Sequence, residues 1–550
     1  MISFLRLNST FSLRAIFCQI GLSLTTLLAP NPSLAADKIT FIYPPFGQFD
    51  IQIADLTTFA QTGEVPPGLA FYTNHASAED LQKFRQLLNY PLPVNSVEMF
   101  NALNTDLGKI VLGQLSKMIQ SPPNQSKPAL SGALIQAAAD PQGLRFINVL
   151  KKYSLPTITL NMTVLENTAE QVDHLFQKTK QVYNQLRTNK ATSSQTVLPN
   201  QGLLANLVSP GKLNWTTQNL TIPQQNEDSI QAVVYLPQNQ SKPAPLIVIA
   251  PGLNSDINAL IYVGKHLASR GFAIAALNFP QTDNERVKAV LSGSATIPAP
   301  NAWLLQPQDV TLLLNTIEQK LKTDSQWQGK IDTQNVGLIG QSLGGYTVTA
   351  LAGSPLAWPD LVKRCQDLTN PNRLVLNPAV IWQCKGIDGP APPSNLADPR
   401  VKAAIAINPV TNPIFNQANF SQLTTPMLVI AGSEDIFAPA IPEQLIPFTW
   451  MTQPNRYLLL VKNSTHLSFL EGTNDLPEIL VGPTPSLAQT YLKAISLAFF
   501  NRYLHQQTQF DDYLTDRAIS QFSQDPLPLQ LRRSLTKGEL KITVPIPASN

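Results

Sequence analysis

The chain has 550 residues, of which 43% are hydrophobic and 14% are charged, and its formal net charge is +3. This length is too great for one ordinary hydrophobic core, so two domains are expected, and the composition is that of a globular rather than a disordered protein. Because the positive charges form no basic run, the sequence argues against a nucleic-acid partner.

Residues 1–35 have the pattern of a secretory signal peptide. A mostly apolar stretch, Ala15–Ala29, follows two arginines, and Ser33-Leu34-Ala35 is a small-residue site that predicts cleavage after its last residue. The alternative is an uncleaved membrane anchor, but the apolar stretch is short for a membrane span. We therefore expect an exported chain, periplasmic or extracellular, with no membrane span in its mature form.

Residues 37–162 are predicted to form a mainly helical domain. Short β-like runs begin and end it, at Lys38–Tyr43 and Thr157–Asn161. Between them, apolar residues recur at helical spacing in segments 51–61, 78–88, 97–103, 107–119, 130–139 and 143–151. No residues here have catalytic spacing, so the role of this domain stays open. Residues 163–205 follow as a helical connector and a polar linker.

Residues 206–505 alternate strand-like and helix-like segments. The predicted strands are Leu213–Ile222, Ile230–Leu236, Leu246–Ala250, Phe272–Leu277, Val336–Gly340, Val401–Ile407, Met427–Ala431 and Arg456–Val461. The helix-like segments include Ala259–Arg270, Pro307–Lys322 and Leu487–Leu504. This alternation predicts an α/β fold with a mostly parallel eight-stranded sheet covered by helices, and with the first strands at an antiparallel edge. Residues 506–550 are predicted to be a C-terminal extension.

The strand that ends at Gly340 runs directly into a glycine-flanked serine, in the stretch Gly340-Gln341-Ser342-Leu343-Gly344. Strand, sharp turn and helix are the context in which G-x-S-x-G forms a nucleophile elbow. The serine occupies a strained turn, where a Cβ two residues away on either side would crowd the backbone. A plain glycine-rich turn is the alternative. The stretch fits neither a dinucleotide-binding nor a phosphate-binding loop.

The segment of about 354–400 is longer than a crossover needs, and we expect it to be a cap over the site. It contains several large apolar residues and both cysteines that remain after the signal, Cys365 and Cys384. An exported chain favours a disulfide between them, and two buried free thiols are the alternative. Neither cysteine has a histidine nearby, so no metal site is expected.

A base and an acid follow the serine in chain order, as the nucleophile-elbow pattern requires. His466 lies in a polar loop directly after the last predicted strand, whereas His505 follows a helical segment, so His466 is the preferred base. Asp435 follows the preceding strand and is the preferred acid, with Glu434 as its rival. The alternative role for Asp435 is to cap the next turn.

The oxyanion hole is predicted from main-chain groups. Pro251-Gly252-Leu253 follows a buried strand, and its glycine lets the backbone turn an N–H toward the serine. The expected donors are the backbone N–H groups of Leu253 and Leu343.

Residues from about Trp215 to Leu504 resemble an α/β-hydrolase domain of the bacterial predicted dienelactone hydrolase type, which is similar to the plasma-type platelet-activating-factor acetylhydrolases. The stretches that carry the resemblance are Ala250-Pro251-Gly252, Gln306–Val310, Gly340–Gly345, Gly432–Asp435 and His466. The resemblance implies that Ser342 is the nucleophile, Asp435 the acid and His466 the base.

This chain departs from those families at three points, so their substrates are not carried over. It has serine where dienelactone hydrolases use cysteine, and Gln306 where many relatives have arginine. The acetylhydrolases place their acid one strand earlier. The first domain resembles the uncharacterised N-terminal domain that precedes such hydrolases, through residues 61–66 and 137–144.

The sequence thus predicts an exported serine hydrolase that cleaves a small-molecule or lipid ester through an acyl-enzyme, with no cofactor. One alternative is an acyltransferase that uses the same three residues. Another is a non-catalytic binding protein on a hydrolase fold.

Overall fold

The structure is a computed structural model, and it describes residues 35–540 except for 44–46, 75, 121–124, 189–205, 225–226, 371–373, 376 and 474. The predicted signal peptide and polar linker therefore lie almost entirely outside the described residues. The chain divides into two compact units. The first comprises 1–173 with two short later segments, 289–297 and 367–376, and the second comprises the remaining residues up to 550.

The first unit combines a small sheet with helices. Its three strands lie in the order β2-β1-β3, where β1 is Lys38–Tyr43, β2 is Gly47–Gln52 and β3 is Thr157–Leu160. Its helices are Ile53–Thr62, Pro67–Thr73, Ala78–Asn89, Ser96–Asn104, Asp106–Lys117, Ser126–Ala138 and Phe146–Lys151. Strand β2 and helix Pro67–Thr73 were not predicted, because both are short and the alternation in β2 rests on only two apolar residues, Phe49 and Ile51. A long helix, Met162–Thr188, contains the boundary with the second unit.

Helices of the first unit hold the two segments that come from later in the chain. Asn101 Nδ2 donates to Leu291 O at 2.9 Å. Gln114 Nε2 donates to Leu368 O at 3.1 Å, and Lys117 Nζ donates to the same oxygen at 3.0 Å. These hydrogen bonds satisfy main-chain carbonyl groups of the two later segments, 289–297 and 367–376. The first unit is therefore assembled from three separate stretches of the chain.

The second unit is built on a nine-stranded sheet in the order β12-β11-β10-β9-β8-β6-β7-β5-β4. The strands are β4 Trp215–Gln224, β5 Glu227–Pro237, β6 Ala244–Ala250, β7 Ala273–Leu277, β8 Ile331–Gln341, β9 Val401–Ile407, β10 Met427–Gly432, β11 Arg456–Val461 and β12 Leu529–Arg532. The pairings from β7 through β6, β8, β9 and β10 to β11 are parallel. The outer strands β4, β5 and β12 pair antiparallel.

The prediction of eight strands was therefore wrong by one strand at the edge of the sheet. β12 lies in the C-terminal extension and pairs antiparallel with β11, from Leu529 opposite Val461 to Arg532 opposite Leu458. It has only four residues, and its alternating pattern Leu-Gln-Leu-Arg is too short to stand out from loop sequence.

Both faces of the sheet are covered. In β6, Ile247 and Ile249 point to one face and join a large apolar cluster with Leu267 and Phe499, while Val248 on the other face is fully buried as well. The α-helices that follow β5 in the chain are Ile261–Ala268, Asn284–Ser292, Gln306–Thr323, Leu343–Leu351, Trp358–Cys365, Pro378–Lys385, Gln417–Phe420, Ile446–Trp450, Glu478–Val481, Pro485–Tyr503, Asp516–Phe522 and Lys537–Leu540. All belong to the second unit except the last residues of Asn284–Ser292, which are part of segment 289–297 of the first unit. None of the described helices is both long and apolar enough to cross a membrane.

The predicted disulfide is confirmed. Cys365 and Cys384 are bonded, with their Cα atoms 5.3 Å apart, and both residues are buried. They join the ends of two helices, Trp358–Cys365 and Pro378–Lys385. The bond thus fixes these two helices to each other within the predicted cap segment.

Candidate active site

Ser342 occupies a sharp turn between β8 and the helix Leu343–Leu351. Its φ is 57° and its ψ is −115°, a conformation that a residue with a side chain adopts only under constraint. Small neighbours make the turn possible, because a Cβ at Gly344 would collide with the carbonyl oxygen of Ala250 and a Cβ at Gly340 would collide with that of Gly344. Ser342 is partly exposed, whereas its neighbours Gln341 and Leu343 are buried.

Main-chain hydrogen bonds on both sides hold the turn. Ser342 N donates to Ile407 O at 2.9 Å. Ser342 O accepts from Tyr346 N at 3.1 Å and from Val410 N at 3.2 Å. The serine is therefore fixed by the end of β9 and by the loop that follows it.

Asp435 and His466 form a buried hydrogen-bonded pair. Asp435 Oδ2 and His466 Nδ1 are 2.7 Å apart, with the residues 1% and 6% exposed. Asp435 Oδ1 accepts from Phe437 N at 2.9 Å and Ala438 N at 2.7 Å. A carboxylate with these partners acts as an acceptor, which assigns the proton of the pair to Nδ1 and leaves Nε2 as the basic nitrogen.

The rival residues are engaged elsewhere. Glu434 Oε1 lies 3.1 Å from Lys180 Nζ in a partly exposed ion pair. The ring of His505 packs against that of Phe272, with the centroids 4.6 Å apart, and burial lowers the pKa of His505. The structure therefore brings Asp435 rather than Glu434 to His466.

The loops that carry the serine and the histidine are tied together by amide side chains. Gln341 Nε2, next to the serine, donates to His466 O at 3.0 Å. Asn408 Nδ2 donates to Thr465 O at 3.1 Å, and Asn408 Oδ1 accepts from Gly432 N at 3.0 Å. These hydrogen bonds connect the C-terminal ends of the four neighbouring strands β8, β9, β10 and β11.

Among the described residues, Ser342 Oγ forms no hydrogen bond to His466. In free hydrolases this contact is often long and shortens when substrate binds. The structure thus joins acid to base directly, and it joins base to serine through the main chain and Gln341.

Of the two predicted oxyanion donors, Leu343 N directly follows Ser342 in the chain, and Leu253 N directly follows Gly252 in the turn after β6. A Cβ at Gly252 would lie 3.1 Å from Ser342 Cβ, so the turn after β6 passes directly beside the serine. Within the described part of the chain, neither Leu253 N nor Leu343 N donates a hydrogen bond. Two main-chain N–H groups next to a serine hydroxyl are the usual means of stabilising an oxyanion.

A buried carboxylate beside the site was not predicted from the sequence. Glu443 Oε2 accepts from Thr411 N at 2.8 Å and Asn412 N at 3.0 Å, and Oε1 accepts from Asn377 Nδ2 at 2.5 Å. Complete burial raises its pKa from 4.5 to about 7, against the lowering effect of these bonds. The sequence did contain one indication of a buried acid, because Glu443 is the single charged residue in the otherwise uncharged segment 436–448.

Part of the predicted cap contacts the loops of the site. Ala379, in the helix Pro378–Lys385, packs in a small apolar cluster with Val410 and Ala438. Val410 N donates a hydrogen bond to the carbonyl oxygen of Ser342, and Ala438 N donates one to the Asp435 carboxylate. Phe437, the residue before Ala438, has its ring centroid 5.5 Å from that of His466 and is 40% exposed.

The described residues contain no group of three or more histidine, cysteine, aspartate or glutamate side chains placed to hold a metal ion.

Comparison with known families supports the α/β-hydrolase class. Residues 35–161 match a family described as alpha/beta hydrolase of unknown function (DUF1400). No curated protein matches the chain. The family match lies in the first unit rather than in the sheet that carries Ser342, and its description gives no reaction. The match is thus a likeness of residues 35–161 to that family.

Proposed function

We propose that the protein is an exported serine hydrolase that cleaves carboxylic esters. Ser342 Oγ attacks the ester carbonyl and gives its proton to His466 Nε2, while the N–H groups of Leu253 and Leu343 bind the oxyanion. His466 then protonates the leaving alcohol, and an acyl-enzyme remains. Water, deprotonated by His466, releases the acid, and Asp435 stabilises the imidazolium throughout.

The observation that best supports this proposal is the 2.7 Å hydrogen bond between Asp435 and His466 beside a serine in a strained turn. The pair holds the imidazole through Nδ1 and leaves Nε2 for the serine hydroxyl, which is the arrangement that a general base needs. The disulfide is consistent with the proposed export, because such bonds persist in oxidising compartments.

We further propose that the substrate is a small or lipid ester with an apolar acyl group. The exposed ring of Phe437 beside His466 and the apolar cluster of Ala379, Val410 and Ala438 support this class. The resemblance to predicted dienelactone hydrolases and to platelet-activating-factor acetylhydrolases also favours esters, but it does not select one.

The test is a panel of p-nitrophenyl esters of increasing acyl length. Ser342→Ala is expected to lower kcat by about 10⁶, because removal of the nucleophile leaves only binding and oxyanion stabilisation. Ser486→Ala, which removes the same atom from an exposed serine, is the matched control. Equal rates in wild type and Ser342→Ala would overturn the proposal.

Two further measurements separate the alternatives. A fluorophosphonate probe should label Ser342 in the folded chain, and failure to label it would favour a non-catalytic protein. Product analysis with and without an added alcohol distinguishes hydrolysis from acyl transfer, because both reactions share the acyl-enzyme.

A further inference from the structure

The first unit contains an open groove of about 600 Å³ that has no part in the proposed hydrolysis. Its lining residues are largely polar and come from three helices and the turn before the last of them: Thr57, Ala60, Gln61, Gln82, Arg85, Gln86, Asn89, Gln142, Arg145, Ile147, Asn148 and Lys151. The volume lies within the range of small-molecule sites.

The helix Ala78–Asn89 forms one wall because its polar residues share one face. Gln82, Arg85, Gln86 and Asn89 are spaced i, i+3, i+4 and i+7. The opposite face of this helix packs into the core, where Leu88 is fully buried and the ring of Phe84 stacks on that of Phe59 at 5.8 Å. A packed core thus supports the polar wall of the groove.

Arg85 and Asn89 are partly used to hold the helices together. Arg85 Nε donates to Ala60 O at 3.1 Å, and Asn89 Nδ2 donates to the same oxygen at 2.7 Å. Asn148, only 3% exposed, donates to Gly143 O at 3.1 Å. These hydrogen bonds fix the positions of the groove walls, and the groove has other polar side chains that can bind a ligand.

Three cations line the groove, Arg85, Arg145 and Lys151, and the guanidinium of Arg85 donates to main-chain carbonyls rather than to a carboxylate. In the described part of the chain, Arg145 and Lys151 form no ion pair, and Arg145 Nε is buried without an acceptor. None of the described lining residues is acidic. Asp140 is near in sequence, but its carboxylate accepts from Gln142 N at 2.9 Å and so holds the adjoining turn.

We propose that this groove binds a small anionic compound rich in hydroxyl groups, such as a sugar that carries a carboxylate or a phosphate. Arg145 and Lys151 supply the positive charge for the anion. The carboxamides of Gln61, Gln82 and Gln86 donate and accept, which suits hydroxyls. None of the described lining residues has an aromatic ring on which a nucleobase or other flat ring would stack.

The test is isothermal titration calorimetry of the full chain with glucuronate, glucose 6-phosphate, glucose and inorganic phosphate at low ionic strength. Saturable binding of at least one anionic sugar is expected, with much weaker binding of glucose. Arg145→Gln and Lys151→Gln should each weaken that binding on the order of tenfold, because each removes a charged donor. Lys151 is exposed, so its replacement leaves folding unaffected.

Lys83→Gln is the matched control, since it makes the same charge change on a wall helix but outside the groove, where Lys83 pairs with Glu79. It should leave the affinity unchanged. Three results would overturn the proposal: no binding of either anionic sugar, equal binding of glucose, or equal weakening by Lys83→Gln. Inorganic phosphate that binds as tightly as glucose 6-phosphate would overturn the role of the hydroxyls.

Discussion

The two neighbouring acids at the end of β10 differ in what they contact. Asp435 is buried on His466, whereas Glu434 forms a partly exposed ion pair with Lys180. An exposed pair of this kind contributes little to stability, while the buried pair sets the histidine tautomer.

Asp435→Asn should therefore lower kcat by roughly 10³–10⁴ without unfolding the chain, because an amide favours the wrong tautomer of His466. Glu434→Gln, the matched change one residue earlier, should leave kcat within about threefold of wild type. Steady-state kinetics on a p-nitrophenyl ester checks both variants. A large loss in Glu434→Gln with a small one in Asp435→Asn would assign the acid to Glu434.

Glu443 gives the stability of the chain a dependence on pH. Its pKa in the folded state, about 7, lies above its ordinary value of 4.5, so the folded chain holds this proton more tightly than the unfolded one. Unfolding then releases a proton between these pH values, and the free energy of unfolding falls as pH rises through the window. Above pH 7 the folded state carries a buried charge.

Wild type should lose roughly 3 kcal/mol of stability from this group between pH 5 and pH 8, and Glu443→Gln should lack that loss. Urea unfolding of both proteins at the two pH values measures it. The comparison uses the difference between pH values within each protein, because the new amide also faces the Asn377 amide as a second donor. Identical pH dependence in both proteins would contradict the assignment.

At the scale of elements, the disulfide connects two helices of the second unit. Most of the residues between these helices, 367–376, belong to the first unit. Closing a loop of 19 residues in the unfolded chain is worth about 3 kcal/mol in the loop-entropy account. Cys365→Ala with Cys384→Ala should lower the free energy of unfolding by about that amount. Thermal and urea unfolding, with and without reductant, measure the effect.

Reductant supplies the control for that prediction, because it breaks the same link without changing side-chain volume. It should destabilise wild type and leave the double variant unchanged. Sensitivity of the double variant to reductant would indicate a different origin.

The sequence predicts those elements well in which burial leaves a local pattern. β9 and β11 have the predicted bounds because both are mostly apolar, buried runs that are followed directly by a polar residue, Asn408 and Lys462. β2 and β12 were missed because each offers only two alternating apolar residues and no such run. Ser342, Asp435 and His466 were placed by their position after strands, whereas Glu443 and Gln341 act through contacts between distant segments that no local pattern encodes.

At the scale of the whole molecule, the first unit is discontinuous along the chain. A fragment 174–550 would keep 289–297 and 367–376 but lose Asn101, Gln114 and Lys117, which bond them. We expect this fragment to be less soluble and to unfold at a lower temperature than the full chain, since the partly buried carbonyls of Leu291 and Leu368 lose their donors. Thermal unfolding and sedimentation check this.

A full-length chain with Gln114→Ala and Lys117→Ala is the companion variant, because it removes donors to Leu368 while keeping the unit. Its melting temperature should fall between those of the wild type and the fragment. Equal melting temperatures for the fragment and the full chain would contradict the prediction.

The same discontinuity limits how the first unit can be exchanged between genes during evolution. A gene rearrangement that moved 1–173 to another protein would leave behind two pieces of the unit that it carried. Transplanting the unit intact requires three separate stretches of coding sequence, which a single recombination event does not deliver. We therefore expect the two units to have been transmitted together, as one gene, rather than exchanged as independent modules.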